Sequence, residues 1–453
     1  MVELLLLIAG MTDTSTLSVR VVGPDGRPVE DAEVWVTQLA AGDTYLELPR
    51  GPETVRRTDA KGRCRFEAVT ELPYDQVTTR ACFRGTHPDF ATWEGRCASA
   101  NENGVFEDEF LMRLEAGHTV EVAAAVLDAD VPEDRLFLIV RDSITDTKRT
   151  VRSAGSLSTP PISAQQNAVL PAAVPEDGPP LFGDLIRWDA DDPSTLRAAT
   201  ALQAGVRVTG RLDDAVARPV RHGQVSARCV FPVPPHKEIP YRIQSGFSAW
   251  VETVDVRRDG TFTFPSLPYG CDLYLTAIGD GFVSAVPDRA AREAAVARYG
   301  GSPLLTRGWR QPQIWFEIDE DTSPVLKAEP SGGAAVTVTG ADGRPAAGVR
   351  VGVGISLSSP GVGSTSGGWR YDTRARLAKE RRGADPTPYV RRVTDNEGRV
   401  VFADLPPGER HLYFLHPEIN LQLPVDNAGE YGRFPFTVKP SEETPVDVRL
   451  KPR

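Results

Sequence analysis

Cysteines, histidines and clustered acids are the side chains of this sequence that are best suited to catalysis or metal binding, so their spacing is the first test of chemistry. Catalytic residues occur in groups that share a pocket. The sequence contains no H-E-x-x-H, no G-x-S-x-G, no P-loop and no dinucleotide-binding glycine pattern. Residues 361–368 superficially resemble a phosphate-binding loop, but the lysine and the helix start of such a loop are missing. The sequence therefore predicts neither an enzyme nor a bound cofactor.

The histidines and acids do not converge on a metal site. The histidines are scattered, at His87, His118, His222, His236, His411 and His416. His411 and His416 flank an expected strand end, where their side chains need not meet, so surface positions are expected for both. The acidic clusters at residues 189–192 and 319–321 lack the ligand spacing of a calcium loop, and solvated turns are expected there. No bound metal is predicted.

The cysteines are at positions 64, 82, 97, 229 and 271, and none has the C-x-x-C spacing of a zinc site. Cys82 with Cys97, and Cys229 with Cys271, each lie within one expected unit and are able to pair if the protein is exported. Cys64 occupies a motif position at which two other copies carry Phe262 and Val400. We therefore expect a small buried side chain at Cys64.

Aromatic residues are the most direct indication of binding. The tryptophans near or within segments that interrupt the repeated pattern are Trp93, Trp188, Trp250, Trp309, Trp315 and Trp369. Indole rings stack on sugar faces and anchor protein interfaces. Core packing is the alternative for each ring, and it is favoured for Trp35 and Trp315. Trp309 and Trp369 are candidate binding residues.

Residues 352–389 form the second candidate surface. They begin rich in glycine and serine and then turn basic, and they are the only concentrated positive segment that we recognise in this acidic chain. The candidate binding residues here are Arg370, Arg374, Arg381 and Arg382. Their charge would attract an acidic partner.

Composition limits the class of partner. The 453 residues carry a formal net charge of −11. Nucleic acids and anionic lipids both need clustered Lys and Arg, so this charge argues against either as a general partner. No stretch reaches the roughly 18 apolar residues of a membrane span. We expect a protein or glycan partner, and the oligomeric state is not constrained.

Residues 1–16 start with a short apolar run, in which Glu3 stands where an export signal carries a positive charge. An export signal, a wrongly assigned start and a plain edge strand all fit this segment. We expect a secreted or cell-envelope protein, with the cytoplasm as the alternative.

The elements that position these residues follow from a motif pair that occurs three times. The opening half lies at residues 23–28 and 340–345, with a degenerate copy at 210–219; the closing half lies at 62–66, 260–264 and 398–402. A valine falls six residues after the proline in each copy, at Val34, Val225 and Val351. Because a one-residue slip would turn every side chain to the wrong face, this phase predicts inward-facing strands. Each half is expected to form a β-hairpin, and the first hairpin of the middle copy is in doubt because its Asp-Gly turn is missing.

This pattern resembles the carboxypeptidase regulatory-like domain, a prealbumin-like (transthyretin-like) β-sandwich close to the starch-binding-like folds. The matching residues are 23–36, 58–66, 260–270 and 340–408. They are turn and core residues, so the resemblance implies a fold and is nearly silent on activity. In the resembled carboxypeptidases this domain follows a zinc catalytic domain, and no such domain is recognised in this sequence.

The expected fold is all-β, with tandem prealbumin-like or Ig-like β-sandwich modules, loop inserts and one short helix. The expected divisions are a leader or edge strand at 1–16, sandwiches at 17–117, 205–330 and 331–453, and a diverged sandwich at 118–204. The diverged region includes an apolar run at 136–140 and a loop at 156–180, and residues 288–299 are expected to form the helix.

The function we expect is that of a non-enzymatic bacterial scaffold that mediates protein interaction at the cell envelope through its inserts at 288–316 and 354–390. Two alternatives remain open. One is a carbohydrate-binding protein in which Trp309 or Trp369 stacks on the sugar, and the other is an accessory or regulatory subunit of a hydrolase.

Overall fold

A computed structural model describes residues 15–41, 44–47, 54–68, 71–72, 76–77, 80–99, 109–126, 131, 135–140, 151–153, 156–159, 161–163, 168–188, 192–232, 246–279, 281–285, 287–299, 313–354, 391–405, 407–415, 423, 425–427 and 434–451. These residues form tandem β-sandwiches with a short helix, which confirms the expected all-β class. We name four consecutive groups of strands units 1 to 4.

Unit 1 is a sandwich of two sheets. Its strands are β1 (Ser15–Val22), β2 (Glu33–Ala41), β3 (Thr44–Glu47), β4 (Val55–Arg57), β5 (Arg63–Ala68), β6 (Glu71–Leu72), β7 (Gln76–Val77), β8 (Arg80–His87), β9 (Phe90–Ser99) and β10 (Phe110–Arg113). One sheet has the order β10-β1-β5, the other has the order β3-β2-β8-β9 with β4 also paired to β2, and β6 pairs separately with β7. Val19, Val34 and Phe83 are fully buried between the sheets.

Unit 2 is joined along a single path of hydrogen-bonded strands. They are β11 (Gly117–Val126), β12 (Leu136–Val140), β13 (Val151–Ser153), β14 (Ser156–Ser158), β15 (Ile162–Ser163), β16 (Ala168–Ala173), β17 (Leu181–Phe182), β18 (Ile186–Arg187) and β19 (Thr195–Ala204). Their order is β12-β16-β17-β19-β11-β14-β13. The sequence predicts a loop over residues 156–180, and this prediction is wrong for β14, β15 and β16. The Ser- and Ala-rich composition that suggested a loop instead provides small side chains for β16, which is buried along its whole length.

Units 3 and 4 repeat the topology of unit 1. Unit 3 contains β20 (Val206–Leu212), β21 (Gly223–Pro232), β22 (Gly246–Asp255), β23 (Thr261–Leu267), β24 (Asp272–Gly279), β25 (Phe282–Ser284), α1 (Arg289–Tyr299), β26 (Gln313–Trp315), β27 (Val325–Leu326) and β28 (Ala328–Pro330). Unit 4 contains β29 (Gly332–Thr339), β30 (Arg350–Gly354), β31 (Arg391–Val393), β32 (Arg399–Leu405), β33 (Gly408–Leu415), β34 (Phe434–Val438) and β35 (Glu443–Arg449). The expected helix at 288–299 is confirmed, and the Asp288 carboxylate caps it at the N–H of Ala291, 2.9 Å away.

The repeated sheet has the order β10-β1-β5 in unit 1, β23-β20-β27 in unit 3 and β32-β29-β35 in unit 4. In each case the first strand pairs in parallel with a strand near the end of the repeat, which is β10 in unit 1, β27 in unit 3 and β35 in unit 4. Val34, Val225 and Val351 lie at equivalent places in the second sheet and are each 0% exposed. The predicted phase of the inward-facing valines is therefore confirmed.

The expected hairpins are wrong, because each motif half connects the two sheets instead of joining neighbours in one sheet. β1 and β2 belong to different sheets, as do β4 and β5. Only the bridge between Val22 and Pro28 links the strands across the opening turn among the described residues, and Thr339 with Pro345 repeats it. The hydrogen bonds of this bridge are made by the flanking residues, from Val29 to Val21 and from Gly23 to Arg27, and beyond it the chain crosses to the opposite sheet.

Strands β12 and β16 are buried on both faces. Leu138 and Val140 pack into a cluster within unit 2, whereas Phe137 and Ile139 pack into the core of unit 3. Successive side chains of a strand point to opposite faces, which explains this division. The continuous apolar run at 136–140 predicts such a strand. Units 2 and 3 share a continuous hydrophobic core.

Short connections join the later units. Gly205 alone separates β19 from β20, and Ser331 alone separates β28 from β29. The buried Ser266 hydroxyl accepts a hydrogen bond from the N–H of Gly205 (2.7 Å) and donates one to the carbonyl oxygen of Pro180 (2.6 Å). The N–H of Ser331 donates to the carbonyl oxygen of Gly281 at 2.8 Å. The backbone at both junctions is thus held by hydrogen bonds.

Candidate functional site

A buried threonine closes the crossover turn that supports the loops of unit 1. The Thr58 hydroxyl accepts a hydrogen bond from the N–H of Ala32 (2.9 Å) and donates one to the carbonyl oxygen of Val29 (2.7 Å). Thr394 makes the corresponding bonds in unit 4, at 3.0 and 2.7 Å. Both threonines are 4% exposed. Because a buried N–H without a partner is costly, the hydroxyl fixes the crossover.

The neighbouring Asp and Gly shape the same turn. The Asp59 carboxylate accepts hydrogen bonds from the backbone N–H groups of Lys61 (2.9 Å) and Arg63 (2.8 Å). These bonds, that from Arg63 first, hold the pKa of Asp59 below its ordinary value, so the carboxylate is charged in neutral solution. Gly62 has a φ of 72°, and a side chain there would overlap the carbonyl oxygen of Val21. Unit 4 repeats these features at equivalent positions.

The middle copy has the buried Val256 at the position of the threonine, and a long side chain from the opening half of the motif holds the crossover instead. The guanidinium of Arg218 donates to the carbonyl oxygens of Leu212 (3.0 Å), Asp213 (3.2 Å) and Asp259 (2.9 Å). The Arg218–Pro219 peptide bond is cis. The turn that the sequence leaves in doubt is therefore present as a crossover. Hydrogen bonds from the Arg218 side chain to backbone carbonyl oxygens hold it in place.

The basic insert begins and ends on neighbouring strands of unit 4. β30 and β31 are antiparallel partners, with Gly352 opposite Arg391, and residues 355–390 lie between them in sequence. Residues 233–245 hold the same place in unit 3, between the paired strands β21 and β22. In unit 1 the corresponding paired strands are β2 and β4. The candidate residues Trp369, Arg370, Arg374, Arg381 and Arg382 lie outside the described residues. The structure thus gives the attachment points of this insert but not its surface.

The helical insert of unit 3 is attached by an ion pair. Arg298 of α1 contacts Asp272 at 2.5 and 3.0 Å, and Asp272 is 0% exposed. Arg298 also pairs with the exposed Glu317 at 2.9 Å and lies 5.5 Å above the ring of Phe316. Both acids raise the pKa of Arg298, Asp272 more strongly. Trp309, the candidate in this insert, lies outside the described residues.

The tryptophans on described strands are mostly core residues. Trp35, Trp188 and Trp250 are 8%, 3% and 1% exposed, so the expectation of exposed rings is wrong for Trp188 and Trp250. Trp35 is in the core as expected, and Trp315 is half-buried in β26 opposite Leu273. Proximity to an insert does not predict exposure here, because each insert starts from a buried strand.

The cysteines fall into two groups. Cys82 and Cys97 face each other across β8 and β9 and form a disulfide bond. Cys229 and Cys271 are buried free thiols. Burial first, and then the contact with Cys271, raise the pKa of Cys229 well above its ordinary value. Cys64 is also buried, as predicted, and burial raises its pKa to about 12.

The described residues contain no group of three or more His, Cys, Asp or Glu side chains placed to hold a metal ion. The acids at 319–321 form a turn in which the Asp319 carboxylate accepts from the N–H of Asp321 (3.1 Å) and the hydroxyl of Thr322 (2.9 Å). Across the same part of the chain, no helix has the length and apolarity to span a membrane.

No protein-family model and no curated protein matches this chain. Solved structures with a similar arrangement include a Streptococcal ancillary pilin, with 13% identity and a TM-score of 0.22 over 74% of this chain and 99% of that one. The minor pilin GBS52 of Streptococcus agalactiae has 12% identity and a TM-score of 0.23, over 55% and 97% of the two chains. The major pilin RrgB of Streptococcus pneumoniae has 10% identity and a TM-score of 0.16, over 97% and 100%. Likeness at this level does not assign a function to the chain.

Proposed function

We propose that this chain is a non-enzymatic β-sandwich scaffold that binds a protein partner through loops inserted into a repeated framework, and that it acts outside the cell or in the cell envelope. The observation that carries the proposal is the placement of the inserts. The segments at 233–245 and 355–390 enter equivalent sheets between equivalent strands, while the inward-facing valines stay constant, and the second segment carries the basic cluster that we propose as the binding surface. A constant framework with variable loops is the arrangement that binding scaffolds use.

The assignment of units 1, 3 and 4 to the carboxypeptidase regulatory-like class is part of this proposal. It is supported by the shared turn residues and by the repeated parallel pairing of β1 with β10, β20 with β27 and β29 with β35. We also propose the divisions 17–117, 118–204, 205–330 and 331–453, with the second and third held together by their common core.

The test of the protein-binding role is a loop replacement. Residues 355–390 would be replaced by a short Gly-Ser turn between β30 and β31, and residues 233–245 would be replaced in the same way as a matched control. Proteins crosslinked to the intact chain in envelope preparations should be lost in the first variant and retained in the second. Equal recovery with both variants would exclude the basic insert as the binding surface. Circular dichroism checks that both variants are folded.

Localisation has its own test, the mass of the mature N-terminus. Removal of a segment within residues 1–16 supports export, and an intact start would contradict it.

The glycan alternative depends on Trp309 and Trp369. A glycan array that binds the intact chain but not its Trp309→Ala and Trp369→Ala variants would replace the proposed protein partner by a sugar.

A further inference from the structure

Five cationic side chains line one cavity of unit 1, whose volume is about 410 Å³. The lining residues are Arg56, Arg57, Asp59, Lys61, Arg63, Cys64 and Arg65. The volume lies in the range of small-molecule sites. In the sequence, residues 352–389 stand out as concentrated positive charge, whereas the cations at 56–65 do not, because Thr58, Asp59 and Gly62 interrupt them and are typical of a turn.

The cations approach the cavity from two strands and a turn. Arg56 and Arg57 belong to β4, Lys61 belongs to the crossover, and Arg63 and Arg65 belong to β5. Arg63 and Arg65 are alternate residues of one strand, so they project on the same side roughly 6–7 Å apart. The Arg63 and Arg65 side chains are exposed, whereas Cys64 between them is buried.

Neighbouring groups fix the shape and the charge of the cavity. The Arg56 guanidinium lies 5.9 Å above the ring of Phe66. The buried Cys64 side chain belongs to the core of unit 1, on the opposite side of β5 from Arg63 and Arg65. The cations of β4, the crossover and β5 therefore lie around the cavity.

Acidic partners neutralise only part of the cluster. Arg57 pairs with Glu33 at 2.7 Å and with Asp31 at 3.9 Å, and Arg63 pairs with Glu109 at 2.6 Å. The charged Asp59 lines the cavity as well, and its Oδ1 atom already accepts two backbone hydrogen bonds. Among the described residues, Lys61 and Arg65 make no ion pair. Lys61 and Arg65 therefore leave unpaired positive charge at the cavity, in a protein whose formal net charge is −11.

The fold itself does not require these cations. Unit 4 builds the same crossover, in which the Asp395 carboxylate accepts backbone bonds at 3.0 and 2.7 Å. At the positions of Arg57, Lys61 and Arg65, however, unit 4 carries Val393, Glu397 and Val401. Val393 and Val401 are 57% and 44% exposed, so these positions are on the surface in unit 4 as well. Arg56 and Arg63 correspond to Arg392 and Arg399 of unit 4, so Arg57, Lys61 and Arg65 are the cations that distinguish unit 1 from unit 4.

We propose that this cavity binds a tetrahedral oxyanion, namely a phosphate or sulfate group that is free or esterified to a larger molecule. A carboxylate has two coplanar oxygens, which one guanidinium fork satisfies. A phosphate or sulfate presents oxygens in several directions, which suits donors that come from two strands and a turn. The site is independent of the proposed scaffold function, because it uses none of the insert residues.

The experiment measures binding of three probes to the full chain by calorimetry at low ionic strength, with phosphorus NMR line broadening as a second measurement for the two phosphate probes. Inorganic phosphate and glucose 6-phosphate distinguish a free anion from an ester, and succinate is a dianionic carboxylate control. Phosphate or its ester should bind, weaken as salt is added, and bind roughly tenfold or more tightly than succinate. Absence of binding by both phosphate probes, or equal binding of succinate, would overturn the proposal.

The site itself is tested by exchanging surface residues between units. Lys61→Glu with Arg65→Val introduces the residues of unit 4 and should weaken phosphate binding roughly tenfold or more, since each charged hydrogen bond contributes a large share of such affinity. Arg211→Ala with Arg258→Ala is the matched control, because it removes two exposed arginines of unit 3. Unchanged binding in the first variant, with an unchanged melting curve, would place the anion elsewhere and contradict the assignment.

Discussion

The ring of Phe182 stands edge-on against the indole of Trp250, with 4.9 Å between the ring centroids and an interplanar angle of 85°. Phe182 belongs to β17 of unit 2, and Trp250 belongs to β22 of unit 3. They are 4% and 1% exposed. This pair joins the two units within one core. Separation of unit 2 from unit 3 would expose both rings to water and lose the free energy of their apolar burial.

Truncation of this contact should destabilise both units together. Phe182→Ala leaves a cavity beside Trp250 and should cost about 3–5 kcal/mol of unfolding free energy. In differential scanning calorimetry, the transition that contains units 2 and 3 should move to lower temperature as a single peak. Phe414→Ala, which removes a ring from the separate core of unit 4, is the control and should leave that peak in place. A peak that splits, with only unit 2 shifted, would show that the units unfold independently.

Loss of the Thr58 hydroxyl should weaken unit 1. Thr58→Val keeps the shape of the side chain but leaves the N–H of Ala32 buried without its acceptor. The expected cost is about 1–3 kcal/mol. Thr394→Val should have a similar effect on unit 4, and Thr195→Val, at an exposed strand position, should change the free energy of unfolding by less than about 0.5 kcal/mol. Denaturant unfolding measures all three variants, and equal effects at Thr58 and Thr195 would contradict the role of the buried hydroxyl.

The ion pair between Arg298 and Asp272 should be far more important than that between Arg298 and Glu317. Arg298→Met leaves the fully buried carboxylate of Asp272 without its cation, which should cost about 3 kcal/mol or more. Glu317→Gln removes a partner whose side chain is 69% exposed. That change should cost less than about 1 kcal/mol. Urea unfolding and proteolysis within α1 report both effects, and similar losses in the two variants would contradict a buried anchor.

The free thiols should be unreactive in the folded protein. Thiolate is the reactive form, and burial raises the pKa of Cys64 and Cys229, so little thiolate exists at about pH 8. Iodoacetamide should label Cys64, Cys229 and Cys271 slowly until denaturant is added, when labelling becomes fast. Mass spectrometry without reductant should find Cys82 and Cys97 joined. Rapid labelling of the native chain would show that these thiols are accessible.

The repeated framework is predictable from local spacing. Val34, Val225 and Val351 are inward-facing at equivalent positions because the two-residue period of a strand leaves no other choice once one face is buried. The hairpin prediction fails for a related reason. The same alternation fits two neighbouring strands and two strands in opposite sheets, so alternation alone does not distinguish a hairpin from a crossover.

Contacts between distant segments could not be predicted. The apolar run at Leu136–Val140 indicates a strand buried on both faces, but nothing in its sequence specifies unit 3 as the neighbour. Arg218 closes the middle crossover by bonds to the carbonyl oxygens of Leu212 and Asp259, which the spacing of the two motif halves does not indicate. The cations around Asp59 were missed because a turn motif and a charged surface occupy the same residues.

The parallel pairing of each opening strand with its closing strand has a mechanical consequence. In unit 4, β29 and β35 are in register from Gly333 opposite Glu443 to Thr339 opposite Arg449. Parallel neighbours bring the chain in at one end of the sandwich and out at the other. Tension along the polypeptide therefore acts as shear on all the hydrogen bonds between β29 and β35, so these bonds share the force instead of breaking one after another. Such a sandwich resists stretching until all the hydrogen bonds of this strand pair break together.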